Sequence, residues 1–330
     1  MALTLEEAKV GYADKVEQYV IDEFRRSSIL LDKLTFDDTI SPTGGSNLVY
    51  GYQRLETPST ASVRQINAEY SPNEAKRTKC TASPVILGGS FQIDRVIAQT
   101  SGAINEMDFQ IKEKTKAGAN YFHNLVINGT SAASGTGYVP NTFDGLKKIL
   151  TGKSTEMTTD IDISTSTLLD SNYNALLDEL DTFIALLAAK PDVLMMNSKM
   201  LTKVKSAARR AGYYDRNKDD FGRTVETYNG IILMDAGQYY NGSTTEDVVS
   251  TSTPGSYTYG TTDIYAAKLG LDAFHGISVD GSKMLKTYLP DLQAPGAVKT
   301  GEVELIAGAV LKNSKMAGVL KGIKLLGKTA

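Results

Sequence analysis

The segment 215–226 carries the side chains best suited to bind a cation. It reads Asp-Arg-Asn-Lys-Asp-Asp-Phe-Gly-Arg-Thr-Val-Glu, with oxygen-bearing side chains at positions that a calcium loop uses. The candidate ligands are Asp215, Asn217, Asp219 and Glu226. However, Asp220 occupies the position where a calcium loop needs glycine for its sharp turn, and a strand, not a helix, is predicted to follow. We therefore expect a solvated acidic loop, with cation binding as the weaker alternative.

The segment 147–154, Lys-Lys-Ile-Leu-Thr-Gly-Lys-Ser, ends like a phosphate-binding loop. That motif needs its first glycine at position 147, which is lysine, and Gly145 lies two residues too early. The residues before it are predicted to be helical, so their backbone amides would not form a phosphate cradle. We expect the end of a short helix followed by a polar turn.

The residues that could support nucleophilic or metal chemistry are few and scattered. The only histidines are His123 and His275, neither with a second ligand at metal-binding spacing, and Cys80 is the only cysteine. His275, Ser278 and Asp280 are the residue types of a hydrolase triad, but they lie in one strand-like hexapeptide without a nucleophile elbow. We therefore predict that the protein is not an enzyme and has no cofactor.

Chain length, net charge and apolar content limit the classes of protein that remain possible. The chain has 330 residues, above the size at which one core usually keeps growing, about 250–300 residues, so we expect two packed lobes. Lysine and arginine number 35 against 38 acidic residues, and the net charge of -3 gives no general attraction for nucleic acid. The longest apolar stretch, 183–189, is too short to cross a membrane. The lysine-rich end is interpreted as a solvated face, with nucleic-acid contact as the alternative.

The longest predicted helix begins at Ser101 and continues for about 25 residues, or about 38 Å. Its apolar side chains recur at steps of three and four, which is typical of a helix with one buried face. The residues expected to pack beneath it are Ile104, Met107, Ile111, Phe122 and Leu125. A loop rich in serine and glycine follows, and then the turn Phe143-Asp144-Gly145-Leu146.

Before this helix, residues 48–95 alternate between apolar and polar side chains, which predicts two long strands. The segment 56–79 between them is charged and has too few large apolar residues to form its own core. We expect this hairpin to lie against another chain, the alternative being a free surface hairpin. The candidate contact residues are Arg54, Glu56, Arg64, Glu69, Lys76 and Arg77.

After the long helix, the pattern predicts a second region of helices and strands. Helices are expected at 172–189 and 199–211, with Ser198 capping the latter and a buried strand between them. Asn229-Gly230 predicts a tight hairpin. The last alternating segment, 301–323, is expected to rejoin the sheet beneath the long helix.

This order of hairpin, long helix, glycine-rich loop and Phe-Asp-Gly-Leu turn resembles the major capsid proteins of tailed bacteriophages, which have the Hong Kong 97 fold. The resemblance implies an α+β fold with an N-terminal arm, an extended hairpin loop, a long spine helix, and peripheral and apical lobes. It also implies these divisions: 1–45, the arm; 46–100, the hairpin loop and its flanking strands; 101–150, the spine helix and the start of the peripheral lobe; 151–280, mainly the apical lobe; and 281–330, the return strands of the peripheral lobe.

The function that this resemblance implies is self-assembly. Copies would form pentamers and hexamers of an icosahedral shell in the virion, assembled in the cytoplasm of a bacterial host without a membrane. A separate scaffolding protein, a portal protein and packaged double-stranded DNA, bound without sequence specificity, are the expected partners. The alternatives are an encapsulin-like nanocompartment with an enzyme cargo, a soluble enzyme and a monomeric binding module.

Overall fold

The computed structural model describes residues 29–39, 49–96, 106–131, 142–212, 215–218, 224–251, 260–279 and 285–326. Four of the predictions above concern residues outside this part of the chain: the N-terminal arm at 1–28 and 40–45, the start of the long helix with Ile104, Asp219, and Asp280.

The elements follow one another in this order. The helices are α1 (Ile29–Lys33), α2 (Glu106–Asn128), α3 (Leu146–Leu150), α4 (Ser166–Ala185) and α5 (Ser198–Ala211), with a 3-10 turn at Ser314–Met316. The strands are β1 (Phe36–Asp38), β2 (Tyr50–Thr57), β3 (Lys76–Ala82), β4 (Val85–Asp94), β5 (Glu156–Thr158), β6 (Val193–Met196), β7 (Asp215–Lys218), β8 (Thr224–Tyr228), β9 (Ile231–Asp235), β10 (Gln238–Tyr240), β11 (Thr245–Asp247), β12 (Gly260–Ala267), β13 (Phe274–Ser278), β14 (Leu285–Tyr288), β15 (Val298–Leu311) and β16 (Ala317–Leu326).

The long helix α2 packs on a five-stranded sheet built around β15. This strand pairs with β4 along Val298–Ala307, and also with β13 and β14, while β1 extends the sheet beyond β13. The buried stripe of α2 includes Ile111, Phe122 and Leu125, with Met107 partly buried. Thr115 shares this stripe because its hydroxyl donates to the carbonyl of Ile111 at 2.8 Å, which satisfies the polar group inside the core.

A seven-stranded sheet, in the order β5-β16-β12-β6-β9-β8-β7, separates two cores. In β6, Val193 and Met195 face the core shared with α2, whereas Leu194 and Met196 face the core formed with α4 and α5. All four positions are buried, which explains why this strand is apolar throughout instead of alternating.

Two helix starts differ from the sequence prediction. Helix α4 begins at Ser166, earlier than the predicted 172, because the Thr165 hydroxyl accepts from the amide of Leu168 and so caps it. Helix α5 is capped by Asn197, not by Ser198. The Asn197 side-chain oxygen accepts from the amide of Met200 at 2.7 Å, and its amide group donates to Thr262 Oγ1 at 2.8 Å.

The final strand also differs from its prediction. Strand β16 does not rejoin the sheet beneath α2; it enters the seven-stranded sheet between β12 and β5. The edges of β15 are already occupied by β4, β13 and β14, and a turn capped by Asn313 reverses the chain after β15. Ala317–Leu326 therefore joins the seven-stranded sheet, whereas the prediction for 281–330 grouped it with the other return strands.

The turn after the glycine-rich loop crosses the end of α2 at close range. The amide of Gly145 donates to the carbonyl of Gly129 at 2.8 Å, and the amide of Gly129 donates to that of Leu125 at 2.9 Å. A side chain at Gly145 would place its Cβ 2.6 Å from the carbonyl oxygen of Ile127, and one at Gly129 would place it 2.4 Å from that of Phe143. Only glycine allows the two backbones to approach so closely.

We expect Gly145→Ala to destabilise the subunit by about 3 kcal/mol, because the new methyl group would meet backbone atoms that cannot rotate away. The matched control is Gly118→Ala on α2, where a Cβ would meet nothing within 4 Å. This control should be neutral or stabilising by up to about 1 kcal/mol through helix propensity. Chemical denaturation of the purified subunits measures both, and equal unfolding midpoints would contradict the prediction.

Candidate assembly interface

Strands β2 and β3 form a two-stranded ribbon that leaves the body of the molecule. The pairing runs from Tyr50 with Ala82 at the base to Thr57 with Lys76 at the outer end. In the described chain, neither strand belongs to a larger sheet. A ribbon of this kind is only marginally stable alone, so its base must be held by other contacts.

Arg54 holds the base of the ribbon to the end of β15. Its Nη2 donates to the carbonyl of Leu311 at 2.7 Å, and its Nε donates to that of Lys312 at 3.0 Å. The planar guanidinium group thus binds two consecutive carbonyl groups of a distant strand. Arg54 was predicted to contact another subunit, and in the structure its guanidinium group binds its own chain.

Tyr50 provides a second attachment. Its hydroxyl donates to Asp37 Oδ2 at 2.6 Å, and its ring meets the buried ring of His275 edge-on, with 5.7 Å between centroids. Burial and the adjacent Asp37 carboxylate both raise the pKa of Tyr50, so the hydroxyl remains a donor at neutral pH. Together with Arg54, this attachment ties the ribbon to β1, β13 and β15.

The outer part of the ribbon, by contrast, projects into solvent. Every residue from 57 to 79 is exposed, including Val63 at 99% and Ile66 at 91%. The tip nevertheless has internal contacts, because the Arg64 guanidinium donates to the carbonyl of Ala68 at 3.2 Å and lies over the Tyr70 ring at 5.5 Å. The tip thus exposes large apolar side chains on a segment that has its own internal contacts.

The other predicted contact residues lie along this ribbon. Glu69 is exposed at the tip, and Lys76 and Arg77 are exposed on β3, where Arg77 donates to Gln53 Oε1 at 3.3 Å. The backbone of Glu56 belongs to β2, but its side chain lies outside the described part of the structure.

The described ends of the 215–226 segment, for which cation binding was the weaker alternative, are two paired strands. Asp215 and Asn217 lie on β7, paired with Thr227 and Val225 of β8, and Glu226 forms an ion pair with Lys205. A strand pair does not gather its side chains around one point as a calcium loop does. Among the described residues, no group of three or more His, Cys, Asp or Glu side chains could hold a metal ion.

Residues of the other two chemical motifs, Ser278 and Gly152, form hydrogen bonds within the chain. Ser278 donates to the carbonyl of Ile306 at 2.8 Å, and its position in β13, three residues after His275, puts the two side chains on opposite faces of the strand. In the 147–154 segment, the Gly152 amide donates to the carboxylate of Glu156. Hydrogen bonds from Lys321 and from this amide lower the pKa of Glu156, so a negative charge already occupies the place of a phosphate.

A cavity of about 570 Å³ opens between the ribbon base and the Phe143-Asp144 turn, and Arg54 and Lys148 are among its lining residues. Burial raises the pKa of Asp144, but hydrogen bonds from Lys148 and Ser131 outweigh it and leave the pKa below its usual value. The carboxylate is therefore ionised and paired with Lys148 at 2.8 Å, which suits a structural role.

In the part of the chain that the structure describes, no helix has the length and apolar character to span a bilayer.

Comparison with protein-family models gives one match, to the SU10 major capsid protein, over residues 76–232. This range extends from β3 to β9 and includes α2, α4 and α5. A search of curated proteins finds no significant sequence match.

Solved structures show the same fold at low sequence identity. The holo-SrpI encapsulin complex of Synechococcus elongatus aligns with a TM-score of 0.61 at 11% identity, over 91% of this chain and 89% of that one. The capsid of a native GTA particle gives 0.57 at 11% identity, over 88% and 89% of the two chains. The capsid of Myoviridae phage XM1 gives 0.53 at 12% identity, over 86% and 89%. The chain therefore has the Hong Kong 97-type α+β fold.

We expect Arg54→Gln to loosen the ribbon, because two hydrogen bonds from a charged donor to β15 are lost. The free-energy cost of opening the ribbon should fall by about 1–2 kcal/mol, which corresponds to a rise of about 5- to 30-fold in amide hydrogen exchange along β2 and β3. Arg77→Gln is the matched control, since this side chain contacts only the ribbon itself among the described residues. Equal exchange in the two variants would contradict the anchoring role.

The stability of the subunit should fall between pH 7 and pH 5 because of His123. Burial lowers the pKa of His123 to about 4, whereas the unfolded chain takes up this proton near pH 6.5. Below that pH the unfolded state binds more protons, so stability decreases by about 2 kcal/mol at pH 5. Denaturant unfolding of His123→Gln at both pH values should show a smaller loss. A loss equal to that of the wild type would contradict this assignment.

Proposed function

We propose that this chain, which has the Hong Kong 97-type fold, is a major capsid protein of tailed phages and that its copies join to form the shell of the virion. In this proposal the ribbon of β2 and β3 lies on the adjoining copy, and its tip residues are buried there. The supporting observation is that Val63 and Ile66 are almost fully exposed in the subunit while the ribbon base is fastened to the body.

The free energy of burying apolar side chains favours the ribbon tip as the point of attachment to the adjoining copy. Burying a valine or isoleucine side chain contributes about 1.5–3 kcal/mol, and every copy in a closed shell would gain it. Tyr70 and Leu55, exposed at 58% and 57%, would add to the same contact. Many such contacts of modest strength stabilise a shell through multivalency.

The exposed charges of the ribbon would contribute specificity more than affinity. Glu69, Lys76 and Arg77 would lie at the rim of the contact, where single ion pairs between exposed groups are worth about 0–1 kcal/mol. Their role in this proposal is to set the register between copies.

The two sheets correspond to the two lobes of this proposal. The five-stranded sheet and α2 form the peripheral lobe, and the seven-stranded sheet with α4 and α5 forms the apical lobe, which includes β16. Of the predicted arm, 1–45, residues 1–28 would reach a neighbouring copy, because Leu30, Leu31 and β1 already pack within the chain's own core and sheet.

The shell would enclose double-stranded DNA without binding its sequence, with a separate scaffolding protein and a portal protein as partners in assembly. The net charge of -3 suits a container wall, because a strongly basic chain would bind nucleic acid before the shell closed. The role is structural, and we propose no chemical reaction for this chain.

We expect the double variant Val63→Ser, Ile66→Ser to reduce shell yield about 100-fold, because about 3 kcal/mol of burial is lost at each contact. Gln65→Ser is the matched control, since it shortens an exposed polar residue of the same tip. Negative-stain electron microscopy and light scattering of the chain, alone and with its scaffolding protein, measure the yield. Equal shell yield for the double variant would contradict the docking of the tip.

The content of the shells tests the rest of the proposal. Particles purified from infected cells should contain DNA that resists added nuclease. Particles that contain one specific host protein and no DNA would instead favour a nanocompartment.

A further inference from the structure

The imidazole ring of His275 is buried at the ribbon base without a polar partner. The side chain has no exposed surface, and among the described residues neither of its ring nitrogens has a hydrogen-bond partner. The carbonyl of Ala273 lies near the ring, but it already accepts from the amide of Lys312 at 3.0 Å. Buried polar atoms are nearly always paired, so this ring calls for a physical explanation.

The position of His275 in β13 places it on the face of the sheet that the ribbon base meets. Phe274 belongs to the core that α2 shares, so the next side chain along the strand points to the opposite face. On that face the Tyr50 ring of β2 meets the His275 ring edge-on, with 5.7 Å between centroids. The ribbon base therefore forms part of the cover that keeps water from His275.

The titratable and charged side chains near His275 come from the elements packed around it. They are Asp37 on β1, Tyr50 and Tyr52 on β2, Lys312 after β15, and Asp272 before β13. Burial and the Lys312 ammonium group lower the pKa of His275, and they outweigh the carboxylates and the Ala273 carbonyl, which favour the protonated ring. With the ribbon base in place, His275 is therefore neutral at pH 7.

The Asp37 carboxylate, which could accept from a protonated imidazole, is bound to other groups. Its Oδ2 accepts from the Tyr50 hydroxyl at 2.6 Å, and its Oδ1 accepts from the amide of Asp38 at 3.0 Å. A proton added to His275 in this arrangement would create a buried charge without an acceptor, which is far more costly than an unpaired neutral ring. Acceptors become available when the ribbon base moves aside, because water then reaches the ring and Tyr50 releases Asp37.

We propose that His275 is a proton-operated latch: when its ring takes up a proton, the Tyr50 attachment opens and the ribbon pivots on Arg54. The Arg54 attachment does not respond to the same proton, because a guanidinium group stays charged and its acceptors here are backbone carbonyl groups. The two attachments of the ribbon base thus differ in kind, one permanent and one dependent on pH.

The direction of the pH effect follows from the proton count of the two states. An imidazole in water titrates near about pH 6.5, whereas burial under the ribbon base lowers the pKa of His275. Below about pH 6.5 the open state therefore binds more protons than the closed state, and a falling pH favours opening. Above that pH the closed state keeps its full stability.

Amide hydrogen exchange of the unassembled, full-length subunit tests the latch. Between about pH 7.5 and pH 5.5, exchange along β2 and β3, corrected for the intrinsic rate, should increase about tenfold, as expected when one hydrogen bond to a charged group is lost. Exchange along β15 should not increase in parallel, which separates opening of the ribbon from unfolding of the whole subunit.

A variant that keeps the ring but cannot take up a proton gives the decisive comparison. His275→Phe retains an aromatic contact with Tyr50, and it should abolish the pH-dependent increase in exchange along the ribbon. His123→Gln is the matched control, because it removes the other histidine, on α2, and should leave the ribbon response unchanged. The inference is overturned if the wild type shows no increase, or if His275→Phe shows the same increase as the wild type.

The linkage is reciprocal, so loosening the ribbon should change the titration of His275 itself. Tyr50→Phe removes the hydroxyl that binds Asp37 and keeps the ring, and it should raise the midpoint of the His275 NMR titration towards that of an imidazole in water. Arg77→Gln, which alters a contact within the ribbon, should leave the midpoint unchanged. The chain has two histidines, so the spectrum of His123→Gln assigns the signals.

This second measurement retains His275 and does not depend on the folding of His275→Phe. An unchanged midpoint in Tyr50→Phe would contradict the coupling between the ring and the ribbon. Both measurements use single subunits, so their failure would leave the proposed function intact, and a chain that forms no shell would leave the latch intact.

Discussion

The backbone of strand β15 must hydrogen-bond along both of its edges, and much of the structure is arranged around that requirement. Strands β4, β13 and β14 satisfy those edges, and β4 is also the strand into which the projecting ribbon returns. The carbonyl groups of Leu311 and Lys312, where β15 ends, accept from Arg54 and so hold the ribbon base. Helix α2 covers one face of the sheet, and its buried side chains share a core with those of β4 and β15.

The subunit is well packed in its body and incomplete at its margins. Two apolar cores lie on the two faces of the seven-stranded sheet, whereas the ribbon tip is exposed. In the proposed assembly the body would supply rigidity, and the tip would supply apolar contact area between copies.

Several elements could be predicted because their determinants are local. The Asn229-Gly230 turn has both residues at positive φ, as its hairpin requires, and α5 ends at Gly212, also at positive φ. The spacing of Ile111, Phe122 and Leu125 alone predicted the buried face of α2. Cation binding was the weaker alternative for 215–226 because its side chains match a spacing rule, whereas pairing with β8 makes Asp215–Lys218 a strand.

The sequence by itself therefore determined which segments are helices, strands and tight turns, since these depend on neighbours a few positions away. The tertiary structure alone decided which sheet receives β16, because that choice depends on which strand edges remain unpaired. It also decided that Arg54 binds its own chain, since the carbonyl groups that it contacts lie more than 250 positions along the sequence. Contacts at such separation leave no periodic pattern in the sequence, because they depend on how the completed elements pack.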